Sequence, residues 1–150
     1  MRMIPLSWNQ QDELLQLESE NSQFPKSQNW LISCEQHQYS GYCLYEATRL
    51  VGYLVYQQLP EGMELIQILV HSETRGRGFG EKLMAKLLEV ANSSGTRFIW
   101  LEVRAGNLSA IGLYEKMGFV KQGIRRGYFP GKGSEPPEDA ILMQWSADYS

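Results

Sequence analysis

Apolar positions in this chain follow two rhythms, and the rhythm changes several times along its length. In residues 10–21, QQDELLQLESEN, Leu14, Leu15 and Leu17 stand among polar residues. The spacing predicts a short amphipathic helix, with Ser7 or Asn9 as its cap. FPKSQ breaks the chain, and SQNWLISCEQH predicts a second helix with Trp30, Leu31 and Cys34 turned inward. GYCLYEA and LVGYLVYQ are β-rich runs on either side of a short polar turn near Thr48 and Arg49, the pattern of a hairpin. After the loop LPEGM, residues 64–70 read ELIQILV, largely aliphatic, as in a strand buried on both faces.

Glycines then interrupt the pattern in HSETRGRGFG. Beyond them Phe79, Leu83, Leu87, Val90 and Ala91 recur at helical spacing as far as Gly95, which predicts a helix and its stop. RFIWLEV is the next buried strand. LSAIGLYEKMG is a helix with Ile111, Tyr114 and Met117 at three-residue steps and Gly118 as its end. FVKQGIRRGYF and DAILMQW are two more β-rich runs around the Pro/Gly-rich loop FPGKGSEPPE. No repeat, low-complexity tract or linker divides this order. The chain of 150 residues suits one domain, 1–150, of α/β class with a mixed central sheet flanked by helices.

Composition changes the picture little. With 43% apolar and 21% charged residues the chain can form a core and is not disordered by composition. No apolar run reaches the ~20 residues of a membrane span, and the N-terminus has no signal-peptide pattern, so the expected compartment is the cytoplasm, away from membranes. Cys34 and Cys43 are expected as buried thiols. His37 and His71 are not at ligand spacing, and no metal is expected.

Charge adds more. The net value of −3 argues against direct binding of nucleic acid through phosphate contacts. Its distribution is uneven: residues 1–70 carry 3 basic and 8 acidic side chains, residues 71–126 carry 10 and 5, and residues 127–150 carry 1 and 4. A basic middle in an acidic chain points to a local site for an anionic ligand, or to chance clustering on solvated faces.

The glycine loop lies in that basic middle, between a strand and a helix. Backbone N–H groups at a helix start converge on one spot, where the helix dipole favours an anion, and glycine lets a phosphate come close. Arg75, Arg77 and Lys82 add positive charge. The plainer alternative is a tight turn that needs positive φ. A Walker A loop does not fit, because Glu81 and Lys82 follow Gly80 in the wrong register. A dinucleotide fingerprint starting at Gly76 meets Glu81 where its last glycine belongs, although Glu102 stands where that fold places a ribose-binding acid.

A second group of polar residues gathers in WLEVRAGNLSAIGLYEKMGF, where a strand hands over to a helix. Glu102 ends the strand, at the edge where α/β folds place ligands, and can act as a general base; an ion pair with Arg104 or Arg125 is the structural alternative. Asn107 stands at the N-cap of the following helix. Tyr114 lies two turns along one face; its phenol can donate a proton, or it can be core.

These residues resemble a known family. A strand, then Arg75-Gly76-Arg77-Gly78-Phe79-Gly80, then a long helix is similar to the acetyl-CoA loop of the GNAT acetyltransferase superfamily. The combination of WLEVRAGNLSAIGLYEKMGF, IRRGYFP and EDAILM looks like the branch that modifies the N-terminal alanine of a small-subunit ribosomal protein. The likeness is strong over residues 66–143. It implies a GNAT fold, acetyl-CoA as co-substrate, and a ribosomal protein N-terminus as partner. It also implies that Glu102 is the general base and Tyr114 the general acid. Cofactor contacts would come from Ile68, Leu69, Val70, Arg75, Gly76, Arg77, Gly78, Phe79, Gly80, Glu81 and Asn107. Arg125, Arg126 and Tyr128 would line the acceptor groove, or simply form a solvated edge strand. Two stretches depart from the branch: Phe24-Pro25-Lys26, where an aromatic is usual at the third place, and the longer, proline-rich GKGSEPPEDA. In this fold both lie near the acceptor, so they bear on its identity.

Acetyl transfer from a thioester to an amine has matching needs. An α-ammonium of pKa ~7.7–8 must lose a proton, an oxyanion wants a donor, and a thiolate of pKa ~8.5 leaves with or without a proton. No covalent enzyme intermediate is required, so the lack of a Ser/His or Cys/His pair is in keeping with it. Transfer to a lysine side chain or a small amine, and a non-catalytic acyl-CoA or nucleotide-binding module, stand as alternatives.

Overall fold

The structure is a computed structural model and describes residues 1–147. Seven strands hydrogen-bond in the order β1-β2-β3-β4-β5-β7-β6. The chain folds as two compact units: Met1–Gln58 with Leu65–Leu87, and Leu59–Glu64 with the residues from Leu88 onward.

The first unit opens with strand β1 (Arg2–Pro5), which the hydrophobic pattern does not announce. It pairs antiparallel with β2 (Ser40–Glu46), and Ile4 stands opposite Cys43. Helix α1 (Gln11–Asn21) follows a short 3-10 turn, Trp8–Gln10; Ser7 caps that turn in a capping box with Gln10 rather than capping α1 itself. Helix α2 (Gln28–Gln36) is capped by Ser27, whose hydroxyl accepts from the Trp30 N–H at 3.2 Å. β2 and β3 (Arg49–Leu59) make the expected hairpin, with Ala47 at φ 54 in its turn.

Leu14, Leu17, Leu31, Cys43, Tyr45, Leu50, Tyr53 and Val55 form the core of this unit. Each buried aliphatic side chain contributes about 1.5–3 kcal/mol. One carboxylate sits among them: Glu18 is fully buried, and it accepts from the Tyr53 hydroxyl, from Gln67 Nε2 at 2.7 Å and from the Lys26 N–H at 3.1 Å. A buried charge survives only when its lone pairs are satisfied in this way.

Strand β4 (Gly62–Val70) departs from the expectation of burial on both faces. Met63 and Leu65 are buried, but Ile66, Gln67, Ile68, Leu69 and Val70 all keep partial exposure. The aliphatic run therefore leaves one end of the strand with open apolar surface. After a 3-10 turn, Ser72–Thr74, and the glycine loop comes helix α3 (Phe79–Ser93), with Phe79, Leu83, Leu87 and Ala91 buried as the spacing predicts and Val90, marked by the same spacing, part-exposed.

In the second unit β5 (Phe98–Arg104) pairs parallel with the first residues of β4, Glu64 opposite Trp100, and antiparallel with β7 (Glu138–Ser146). β7 in turn pairs antiparallel with β6 (Val120–Phe129). The sheet is therefore mixed, as expected. Gly62 is a place of close approach: a Cβ there would stand 2.6 Å from the Trp100 ring. Helix α4 (Leu108–Lys116) lies between β5 and β6 in sequence and ends at Gly118, φ 99. Ile99, Leu101, Val103, Ile111, Tyr114, Phe119, Ala140 and Met143 are buried side chains of this unit.

Candidate active site

In the first unit the glycine loop is a stack of tight turns. The Thr74 and Arg77 N–H groups donate to the His71 and Thr74 carbonyls at 2.9 and 3.2 Å, and the Thr74 hydroxyl also donates to the His71 carbonyl at 2.7 Å. Gly76 and Gly78 adopt φ 82 and 78, conformations that cost other residues roughly 1–2 kcal/mol. No atom lies within 4 Å of where their Cβ atoms would be. Conformation, not crowding, requires glycine here, and the space beside the loop is open. The Lys82 N–H donates back to the Gly78 carbonyl at 3.1 Å, while the first N–H groups of α3 have no acceptor within the helix.

The three cations expected at the loop divide. Arg77 is spent on structure: its guanidinium pairs with Glu46 of β2, Nη1 to Oε1 at 3.2 Å, and lies 4.7 Å from the Phe79 ring centre. Arg75 and Lys82 are exposed, and their side chains make no ion pair among the described residues. Glu81 is the acidic residue of the first turn of α3, where the helix dipole favours it. Ile68, Leu69 and Val70 run directly into this loop as the half-open end of β4.

In the second unit the alternation of β5 sorts its side chains. Leu101 and Val103 are buried, while Trp100, Glu102 and Arg104 share the opposite, part-exposed face. Glu102 meets Arg125 rather than Arg104: Arg125 Nε stands 3.6 Å from Glu102 Oε1, and the two side chains are 55% and 28% exposed. The Tyr128 phenol donates to the same carboxylate, which raises its pKa above the ordinary value, with Arg125 opposing. The Arg125 guanidinium lies 5.3 Å from the Tyr128 ring centre. Trp100 Nε1 donates to Glu64 Oε2 at 3.3 Å, so a second carboxylate lies on this face, which nothing in the spacing of the sequence reveals.

Asn107 is the N-cap of α4, as its position predicts, and its Oδ1 accepts from the Ala110 N–H at 3.2 Å. Tyr114 is buried on α4 with Phe119 5.9 Å away, ring centre to ring centre. Burial alone raises its pKa, so the phenol is held in its protonated form. Its hydroxyl has no hydrogen-bond partner among the described residues. A protonated phenol with an unused donor can give a proton to a leaving group.

Comparison with known proteins gives the family. The model of the acetyltransferase (GNAT) family matches residues 6–119. The [ribosomal protein bS18]-alanine N-acetyltransferase of Salmonella typhimurium is 31% identical over 93% of this chain and 88% of its own length. The crystal structure of the ribosomal-protein-S18-alanine N-acetyltransferase from Escherichia coli superposes with a TM-score of 0.90 at 28% identity, covering 99% of this chain and 95% of that one. A streptothricin acetyltransferase homologue from Bacillus anthracis, solved in complex with acetyl coenzyme A, gives a TM-score of 0.65 at 26% identity over 73% of this chain and 63% of that one. The chain belongs to the acetyltransferase (GNAT) family, enzymes that take their acetyl group from acetyl-CoA.

Proposed function

We propose that this chain, acting as a single catalytic domain in the cytoplasm, acetylates the N-terminal α-amine, alanine first, of a small-subunit ribosomal protein. The names of the relatives that match most of its length support that acceptor. The observation that carries the chemistry is the Glu102 carboxylate on the open face of β5, with an exposed arginine and a phenol as its neighbours.

The glycine loop fits a phosphate-bearing co-substrate. Two glycines in left-handed conformations open onto free space, and beside them stand Arg75 and Lys82, two cations without an ion pair among the described residues. Arg75, Gly76, Arg77, Gly78, Phe79, Gly80 and Glu81 would hold the phosphates, chiefly through backbone N–H groups other than those of Arg75 and Arg77, which donate to the Ser72 and Thr74 carbonyls. The backbone of Ile68, Leu69 and Val70 would line the pantetheine arm in the manner of an added strand, and Asn107 is a further proposed cofactor contact. When bound, acetyl-CoA supplies the activated thioester.

Glu102 removes the proton of the acceptor ammonium, directly or through one water, so that the neutral amine can attack. Tyr114 donates to the departing sulfur. Tyr128 and Arg125, both against the Glu102 carboxylate, orient it and border the acceptor. The test is thiol release from acetyl-CoA with peptides differing in their first residue, and mass spectrometry to place the acetyl group. Acetylation confined to lysine side chains or small amines would move the chain to another branch of the family.

A further inference from the structure

The Pro/Gly-rich segment after Phe129 is held in place. A Cβ on Gly131 would stand 2.5 Å from the Pro136 carbonyl oxygen, and the Glu135 N–H donates to the Lys132 carbonyl at 3.1 Å. The segment is thus folded on itself, and both of its arms are fastened to the junction between β5 and α4.

Arg104 takes the entering arm. Its Nη1 donates to the Pro130 carbonyl at 3.1 Å, and its guanidinium lies 4.7 Å from the Phe129 ring centre. It takes the leaving arm too, with Nη1 3.3 Å from Glu138 Oε1. The other Glu138 oxygen accepts from the Gly106 N–H at 2.7 Å, and the Asp139 carbonyl accepts from the Ala105 N–H at 2.9 Å. A Cβ on Gly106 would stand 2.7 Å from Glu138 Oε2, so a larger residue there would push the carboxylate aside. Arg104 and Glu138 are 17% and 31% exposed, less screened than a surface pair. The residues so gripped, Ala105 and Gly106, join the end of β5, which carries Glu102, to Asn107 and α4. The segment itself continues directly from Tyr128, whose phenol touches Glu102.

We propose that Arg104 and Glu138 are positioning residues for the transfer. Their clamp holds segment 130–137 against the β5–α4 junction and so fixes where the acceptor's first residues meet Glu102. This role rests on the function proposed above.

The experiment compares wild type, Glu138→Gln, Arg104→Lys and the double variant, with steady-state kinetics in both acetyl-CoA and an alanine-initial peptide. Glutamine at 138 still accepts from Gly106 but presents an amide to Arg104; lysine keeps the charge and loses the fork. The expected result is a rise of about tenfold in peptide KM in each single variant, as for loss of one charge-assisted hydrogen bond. The double variant is expected to be no worse than the weaker single, because both remove one clamp, and acetyl-CoA KM stays within twofold. Hydrogen exchange at the Gly106 amide is expected to quicken when Glu138 is replaced by alanine. Peptide KM within twofold of wild type in both singles, or strictly multiplicative losses in the double, would overturn the proposal. So would an equal rise in acetyl-CoA KM, which marks general loosening. If one single variant does not fold, the other still decides the kinetic question. Failure of the wild type to acetylate any α-amine is read before any variant and overturns the proposed function, and this role with it.

Discussion

Replacing Glu102 by glutamine keeps the shape of the side chain and an acceptor for Tyr128, and removes the charge. The structural cost is small. The Arg125 partner is 3.6 Å away and 55% exposed, a screened pair worth ~0–1 kcal/mol, so the variant should fold normally. The catalytic cost is larger. General-base assistance contributes ~10²–10⁴-fold, so kcat/KM at pH 7 should fall by at least about a hundredfold, ~2.7 kcal/mol in the barrier. The loss should also depend on pH in one direction. An α-amine of pKa ~8 is about one-tenth neutral at pH 7 and mostly neutral at pH 9. As the solvent takes over deprotonation, the deficit should shrink by about tenfold between those values. The assay is thiol release at saturating acetyl-CoA, with the melting temperature measured beside it. A variant with wild-type kcat/KM at pH 7 would remove Glu102 from the mechanism. A deficit that stays constant from pH 7 to pH 9 would show that the carboxylate acts on something other than the acceptor's proton.

Tyr114→Phe should lower kcat by about a hundredfold with acetyl-CoA affinity unchanged; since the hydroxyl has no partner among the described residues, stability should shift by less than ~1 kcal/mol, and unaltered turnover would return the residue to the core. Gly78→Ala places a Cβ in open space at φ 78, so it should cost ~1 kcal/mol of stability and raise the KM for acetyl-CoA several-fold; an unchanged KM would mean that the loop is only a turn. Burial pushes the Cys43 thiol up to about 12 and the Cys34 thiol up to about 11, from 9.0 when unfolded. Their protonated forms therefore favour the fold fully below pH 9, and that contribution is lost as pH rises through 9 to 12, where the unfolded chain gains thiolate. Neither thiol should be alkylated in the native protein at pH 8, and native labelling as fast as in denaturant would contradict that.

Elements with a long, clean period are legible in the amino-acid sequence alone. The helix from Phe79 stops before Gly95 and buries Phe79, Leu83, Leu87 and Ala91, though Val90 keeps partial exposure; the strand RFIWLEV forms where its apolar run predicts, but buries only Ile99, Leu101 and Val103, with Trp100, Glu102 and Arg104 part-exposed. β1 is not legible in this way. Four residues ending in a proline have too little period to register, and what makes them a strand is the partner edge from Tyr42 to Tyr45, far away in sequence. The openness of Ile66 to Val70 is hidden for a related reason, because aliphatic composition reports affinity for a core but not whether a core covers that end of the strand. At the site, residue type and order point to Glu102, Asn107 and Tyr114. Partner choice depends on three dimensions. Arg77 serves Glu46, and Arg104 grips Glu138, which the antiparallel register of β5 and β7 brings within its reach.

The central claim is acetylation of a peptide α-amine, and the most direct measurement is mass spectrometry of an alanine-initial peptide that also contains an internal lysine, after incubation with this protein and acetyl-CoA. The account predicts a single acetyl group on the N-terminal amine, lost when that amine is blocked beforehand. Acetyl on the lysine alone, or none on a peptide while a small amine is acetylated, would contradict it.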